Sequence, residues 1–243
     1  MKCLIAGDYH IYPLHSLEKL IEKEKAEMFI SLGDFDRADL VEHFMEIAAK
    51  LRQKGIEVID IPGNHEHAIL NNIEIDSESL RELGKDFGML NQEFQDNPRV
   101  KLYLENLLKP ENLIRRFQIG KFNAVIVHGG YDGDLSKMPS EVEEQYFKLW
   151  YRIIDEQRGI LSRLDANFKK MEENGENLMI RGHDHYRFHG QRKSGITSYE
   201  FNKSEIELQT DSAHIIMPGA FYDCFYAIIE NNGSNLMVTY GSI

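Results

Sequence analysis

Eight residues of this chain have side chains suited to holding a cation or moving a proton, and they fall in five short blocks. These are Asp8 and His10 in GDYH, Asp34 in LGD, Asn64 and His65 in GNHE, His128 in VHGG, and His183 and His185 in GHDH. Asp8 and His10 are two apart at the end of an apolar run, and strand residues i and i+2 point to the same side. Alone, that pair reads as a strand-end hydrogen bond; the four blocks that follow reverse the reading. Seven of the eight offer oxygen or nitrogen without thiolate, a set that suits borderline divalent ions such as Mn, Fe, Zn, Ni or Co. Seven ligands exceed one tetrahedral zinc and fit two adjacent ions sharing one ligand. Asp34 is the natural bridge, because a carboxylate has two oxygens. Such ions bring about four positive charges against the two carboxylates Asp8 and Asp34, which leaves a locally positive pocket suited to a phosphate ester. In that chemistry a bridging water loses its proton and attacks phosphorus in line. His65, beside a ligand but of opposite strand parity, is free to protonate the leaving oxygen as general acid.

The chain around these blocks must bring them to one place. KCLIAG (2–7) reads as a buried strand, 16–26 as a helix carrying Leu17, Leu20 and Ile21, and EMFISLGD (27–34) as a second strand. An amphipathic helix over 37–54 stops at Gly55, and IEVIDIPGNHE (56–66) is a third strand ending in a Pro-Gly turn. This β-α-β-α-β rhythm predicts adjacent parallel strands with helices on the sheet faces, and in open α/β sheets ligands gather at the C-terminal strand ends, where the blocks lie. Nearly every block also has a glycine that lets the backbone turn sharply: Gly7, Gly33, Gly63, Gly129 and Gly182. Further on, Leu80, Leu83 and Leu90 read as buried, VKLYL (100–104) as strand or helix, and 113–129 as a hairpin turning at Gly120-Lys121. A long helical stretch covers about 140–173, its Tyr146 and Trp150 reading as core; 177–187 is a strand running into a loop, and 186–243 is mostly antiparallel sheet.

The ordered series GDYH, GD, GNHE, VHGG and GHDH resembles the calcineurin-like metallophosphoesterase superfamily, whose pattern is D-x-H, G-D, G-N-H-[ED], H and G-H-x-H. The resemblance spans residues 8–185, with MPGA (217–220) similar to the family's Pro-Gly turn. It implies a four-layer α/β/β/α sandwich (α/β, α+β) with mixed sheets. It also implies that Asp8, His10, Asp34 and His185 hold one metal, that Asp34, Asn64, His128 and His183 hold the other, and that His65 is the catalytic histidine. The Ser/Thr phosphatase branch has G-D-x-x-D-R where this chain reads GDFDRAD, so Asp36 and Arg37 each fall one position early for orienting the histidine and holding phosphate. The terminal G-H-x-H is instead usual among phosphodiesterases and small bacterial or archaeal phosphoesterases.

The expected activity is therefore hydrolysis of a phosphate ester by a dinuclear metal site. A phosphodiesterase or nucleotide hydrolase stands as the alternative to a phosphomonoesterase or protein phosphatase, and a non-catalytic scaffold as a remote one. Arg37, Arg181, His67 and Tyr131 are candidates for substrate contact; Glu66 reads as structural. A single domain over 1–243 is expected, with segments 67–118 and 131–175 capping or bordering the cleft. The net charge of −12 argues against a broad nucleic-acid-binding face. No leader or membrane span is read, and Cys3 and Cys224 are too few for a disulfide framework, so a reducing cytoplasm is the expected setting.

Overall fold

A computed structural model describes residues 1–75, 87–131, 142–154 and 159–243. Strand β1 (Lys2–Ala6) leads to helix α1 (His15–Glu24), β2 (Met28–Ser31), α2 (Ala38–Gln53) and β3 (Glu57–Asp60). β1 pairs parallel with β2 and β2 with β3, as the rhythm of the first sixty residues predicts. α1 buries Leu17, Leu20 and Ile21. α2 ends ahead of Gly55, whose φ of +79° is the left-handed conformation a helix stop favours.

α3 (Asn64–Asn71), α4 (Phe87–Gln95) and α5 (Pro98–Leu107) follow, then the hairpin β4 (Ile114–Ile119) and β5 (Phe122–Val127), which turns at Gly120-Lys121. α6 (Phe147–Trp150) and α7 (Ile160–Asn174) precede β6 (Leu178–Ile180). The chain closes with β7 (Arg187–Lys193), β8 (Ile196–Phe201), β9 (Glu205–Leu208), β10 (Ala213–Pro218), β11 (Phe225–Asn232) and β12 (Asn235–Ser242). Two six-stranded mixed sheets result, in the orders β3-β2-β1-β11-β12-β9 and β4-β5-β6-β10-β7-β8. β10 is the one departure from an antiparallel tail, lying parallel to β6 and antiparallel to β7.

Strand alternation produces the layers. In β1, Leu4 and Ala6 pack with α1 and α2, while Cys3 and Ile5 face Ile126, Ile180 and Ile216 of the other sheet. Across the second sheet, Val125, Met179 and Ile215 pack against Leu164, Phe168 and Met171 of α7. The order is helix, sheet, sheet, helix: the expected α/β/β/α sandwich. Among the described residues no helix is long and apolar enough to cross a membrane.

Two expectations change, and the open reading of VKLYL resolves to helix. GNHE is not the end of a strand: β3 stops at Asp60, and Asn64 opens α3, whose first turn is closed by Glu66 accepting from the Gly63 N–H. VKLYL is helical, within α5, with Asn97 capping its start. The stretch from 140 to 173 is broken, because Tyr151 leaves the helix in an extended conformation and the N–H groups of Ile153 and Ile154 donate to Asp184 instead of to a preceding turn. Leu90 is buried, whereas Leu80 and Leu83 lie outside the described residues, as does part of segment 131–175.

Candidate metal centre

The five blocks meet at one edge. Asp8 and His10 follow β1, Asp34 follows β2, Asn64 and His65 open the helix after β3, His128 follows β5, and His183 and His185 follow β6. Backbone bonds lace the loops: Asp8 N–H donates to Gly33 O (2.8 Å), His10 N–H to Asp34 O (2.7 Å) and Gly182 N–H to His128 O (3.1 Å). The turns are made by the candidate ligands themselves. Asp8, His10, Asp34, His183 and His185 all have φ between +50° and +72°, a region that costs a non-glycine residue about 1–3 kcal/mol. Of the five neighbouring glycines only Gly33 is left-handed, at +80°. Gly63 serves close approach instead, since a Cβ there would lie 1.9 Å from Asp34 Oδ1. Apart from Gly33, the sharp turns fall not on the glycines but on the candidate ligands themselves.

Three groups of side chains each bring their ligand atoms within 4.8 Å of one another: Asp8, His10, Asp34 and His185; Asp34, His128 and His183; and His10, Asp36 and His65. The first two share Asp34. Asn64 adds its carbonyl to the second, with Oδ1 at 3.1 Å from His128 Nε2. Hydrogen bonds fix which ring nitrogen is free. His128 Nδ1 donates to Leu32 O (2.6 Å) and His183 Nε2 to Trp150 O (3.0 Å), leaving His128 Nε2 and His183 Nδ1 as lone-pair donors. His10 Nδ1 meets Asp36 Oδ2 at 3.1 Å, which leaves its Nε2 facing His185 Nε2, also at 3.1 Å. His183 Nδ1 and Asp8 Oδ2 are buried with no hydrogen-bond partner. Orphaned buried acceptors cost free energy unless something positive meets them, so the donor set fits divalent cations.

His65 stands apart from both ligand groups. Its backbone N–H donates to Asp34 Oδ1 (3.0 Å), and its Nδ1 bonds Asp36 Oδ1, so Nε2 is the nitrogen left to act. Strand parity played no part in this, because His65 lies in the first turn of α3. Burial works against the charged form of His65, but the carboxylates of Asp36 and Asp34 outweigh it and lift its pKa to about 10. Burial likewise opposes ionised Asp36, and His65 and His10 overcome it, holding that carboxyl below the usual range. The sequence left Asp36 in doubt. Its early position is absorbed because Phe35 drops into the core against Tyr9 (ring centroids 4.6 Å apart), which turns Asp36 back under both histidines. Glu66 is a brace: it accepts from Gly63 N–H (2.7 Å), Asp34 N–H (3.1 Å) and Phe35 N–H (2.6 Å), while burial and Asp34 raise its pKa to about 7.

The four expected substrate contacts find other partners. Arg37 forks onto Asp39 (2.9 and 2.5 Å) at the start of α2. Fully buried Arg181 donates to Asp184 (2.5 Å) and to Tyr151 O (3.3 Å). Tyr131 bonds Glu176 (2.7 Å), and His67 Nδ1 accepts from the Trp150 indole (3.2 Å) with Tyr146 against its ring. The segment after α6 is what reaches the metal loops. Arg152 Nη1 donates to His183 O (2.6 Å), an arrangement its residue type alone does not advertise.

The family model for calcineurin-like phosphoesterases matches residues 1–187, more than half of the chain. The chain is a member of the calcineurin-like phosphoesterase family. Its members are metal-dependent hydrolases of phosphoric esters, and this phosphoesterase carries residue groups able to hold such metals at the strand ends where its blocks converge. Two solved structures share the fold over the whole of this chain: a metallophosphoesterase from Sphaerobacter thermophilus (19% identity, 88% of that chain, TM-score 0.61) and a hypothetical protein from Pyrococcus horikoshii OT3 (14% identity, 87% of that chain, TM-score 0.64). No curated protein sequence matches.

Proposed function

We propose that this phosphoesterase works with two divalent ions, one held by Asp8, His10, Asp34 and His185 and the other by Asp34, Asn64, His128 and His183. The observation that carries this reading is the shared carboxylate: Asp34 belongs to both ligand groups, and each group holds one unpartnered buried atom, Asp8 Oδ2 in the first and His183 Nδ1 in the second. When bound, the ions supply positive charge for the phosphate and acidify a water that attacks phosphorus. His65, protonated through neutral pH and aligned by Asp36, delivers its Nε2 proton to the leaving oxygen. Asp36 stabilises the imidazolium before that transfer and orients the ring throughout. The left-handed ligand residues hold the site in shape before substrate arrives. We read the chain as a single catalytic domain, in which the described parts of segments 67–118 and 131–175, Trp150 and Arg152 among them, border the cleft, and its free Cys3 and Cys224 suit a reducing cytoplasm.

Protein loaded with Mn or a related ion should hydrolyse p-nitrophenyl phosphate or its bis ester and lose that activity to a chelator. His65→Asn should lower kcat by roughly 10²- to 10⁴-fold with metal content retained. Loaded wild-type protein inert to both esters and to a nucleotide panel would favour a scaffold. Loss of metal from the His65 variant would instead make that histidine a ligand.

A further inference from the structure

The two arginines that the motifs offered for phosphate are consumed, Arg37 by Asp39 and Arg181 by Asp184. Among the described residues, Arg152 stands against the loop that carries His183. Arg152 Nη1 donates to the carbonyl of His183 (2.6 Å) and lies 3.7 Å from Asp184 Oδ1, yet its side chain is 49% exposed where its surroundings are buried. Asp184 is shared: its Oδ2 takes Arg181 (2.5 Å) and the N–H groups of Ile153 and Ile154 (both 3.1 Å), while its Oδ1, the oxygen facing Arg152, forms no hydrogen bond. Among the described residues, two guanidiniums share this one carboxylate, which leaves a positive charge over. The backbone bearing Arg152 is pinned on both sides, by Trp150 O accepting from His183 Nε2 and by the two N–H groups on Asp184.

We propose that Arg152 binds a non-bridging oxygen of a terminal phosphate and makes this site prefer phosphomonoesters to phosphodiesters. The proposal rests on the phosphoesterase reading above. A terminal phosphate is close to a dianion at neutral pH and keeps three free oxygens, so it can engage the ions and still present an oxygen to a guanidinium. A diester carries one charge and has its remaining oxygens esterified or engaged. Guanidinium is the side chain best matched to phosphate oxygens, and a pinned one loses little freedom on binding.

The test compares Arg152→Met and Arg152→Lys with the wild type, all metal-loaded, on p-nitrophenyl phosphate and bis(p-nitrophenyl) phosphate. It also measures inorganic phosphate binding by calorimetry and metal content directly. In Arg152→Met, kcat/KM for the monoester should fall roughly 10- to 100-fold, phosphate binding should weaken by a similar factor, and the diester rate should hold. Arg152→Lys should recover part of the monoester preference. Equal losses on both esters, unchanged phosphate affinity, or loss of metal from Arg152→Met would each overturn the proposal and make Arg152 a brace for the His183 loop. Wild-type protein that binds metal and cleaves the monoester while Arg152→Met matches it removes this inference alone; wild-type protein inert to both esters removes the reading beneath it.

Discussion

Among the described residues, two pairs of histidines bring ring nitrogens to 3.1 Å, and one of the pairs belongs to a candidate metal site. His10 and His185 meet between the strand-end loops; His189 of β7 and His214 of β10 meet within the second sheet. The distal pair sits on regular strands and closes on itself: His214 Nε2 donates to Gln209 O (3.0 Å), so its Nδ1 accepts from His189 Nε2, and the nearest carboxylate, Glu200, stands 3.5 Å from the far nitrogen of His189. At the strand ends both histidines are left-handed, and Asp8, Asp34 and Asp36 stand among them. Contact between imidazoles therefore says little. What separates a proton-sharing pair from a metal site is the density of carboxylate, the strain in the backbone and the presence of donors left without partners.

The sharpest way to break this contrast is to remove the shared carboxylate. Asp34→Asn should abolish metal loading and reduce phosphoesterase activity below about one-thousandth of wild type. It should also erase the stabilisation by added metal, which for wild-type protein at a hundredfold excess over Kd is about 2.7 kcal/mol. His214→Gln, at the distal pair, should leave metal content and activity unchanged. Metal analysis beside a thermal melt with and without Mn reads all of this, and a metal-loaded Asp34→Asn would sink the bridging role.

A smaller effect is expected one layer out. Asp36→Asn leaves both ligand groups intact but weakens the acceptor that His65 and His10 share, so kcat should drop about 10- to 100-fold with metal largely retained. If turnover is unaltered, Asp36 merely fills space beneath the rings.

Asp36 also marks the limit of what the sequence tells. The seven ligand candidates and His65 were legible because each block ends a strand or opens a helix, and strand ends converge whatever their details. The parallel rhythm of the first sixty residues and the mostly antiparallel tail were legible for a similar reason, whereas the two-sheet, four-layer stacking came from the family resemblance. Contacts that depend on how a loop repacks were not. A one-residue offset in GDFDRAD is compensated by Phe35 stacking on Tyr9, which no spacing rule registers. The apolar spacing of residues 140–173 looks helical because Phe147, Ile153, Leu164 and Phe168 do share one core, yet the N–H groups of Ile153 and Ile154 are satisfied across the fold by Asp184. The same break delivers Arg152 to the loop of His183, a contact hidden behind a correct hydrophobic pattern.

The distal pair carries the smallest and most specific expectation. Burial lowers the pKa of His214 from the ordinary 6.5 to about 4. Between those values the unfolded chain binds a proton that the native protein refuses, so the contribution of this residue to stability is complete above pH 6.5 and falls away as the pH drops toward 4. The loss is at most about 1.4 kcal/mol per pH unit. Urea unfolding at pH 7 and pH 5, in chelator so that metal binding plays no part, should show His214→Gln losing about 1 to 2 kcal/mol less than wild type across that interval. Other groups titrate over the same range in both proteins, which is why the difference between them is the quantity to read. Equal losses would mean that the sheet accepts a charged His214 through Glu200 and Asp211, and the distal pair would then differ from the strand-end pair in its ligands but not in its tolerance of charge.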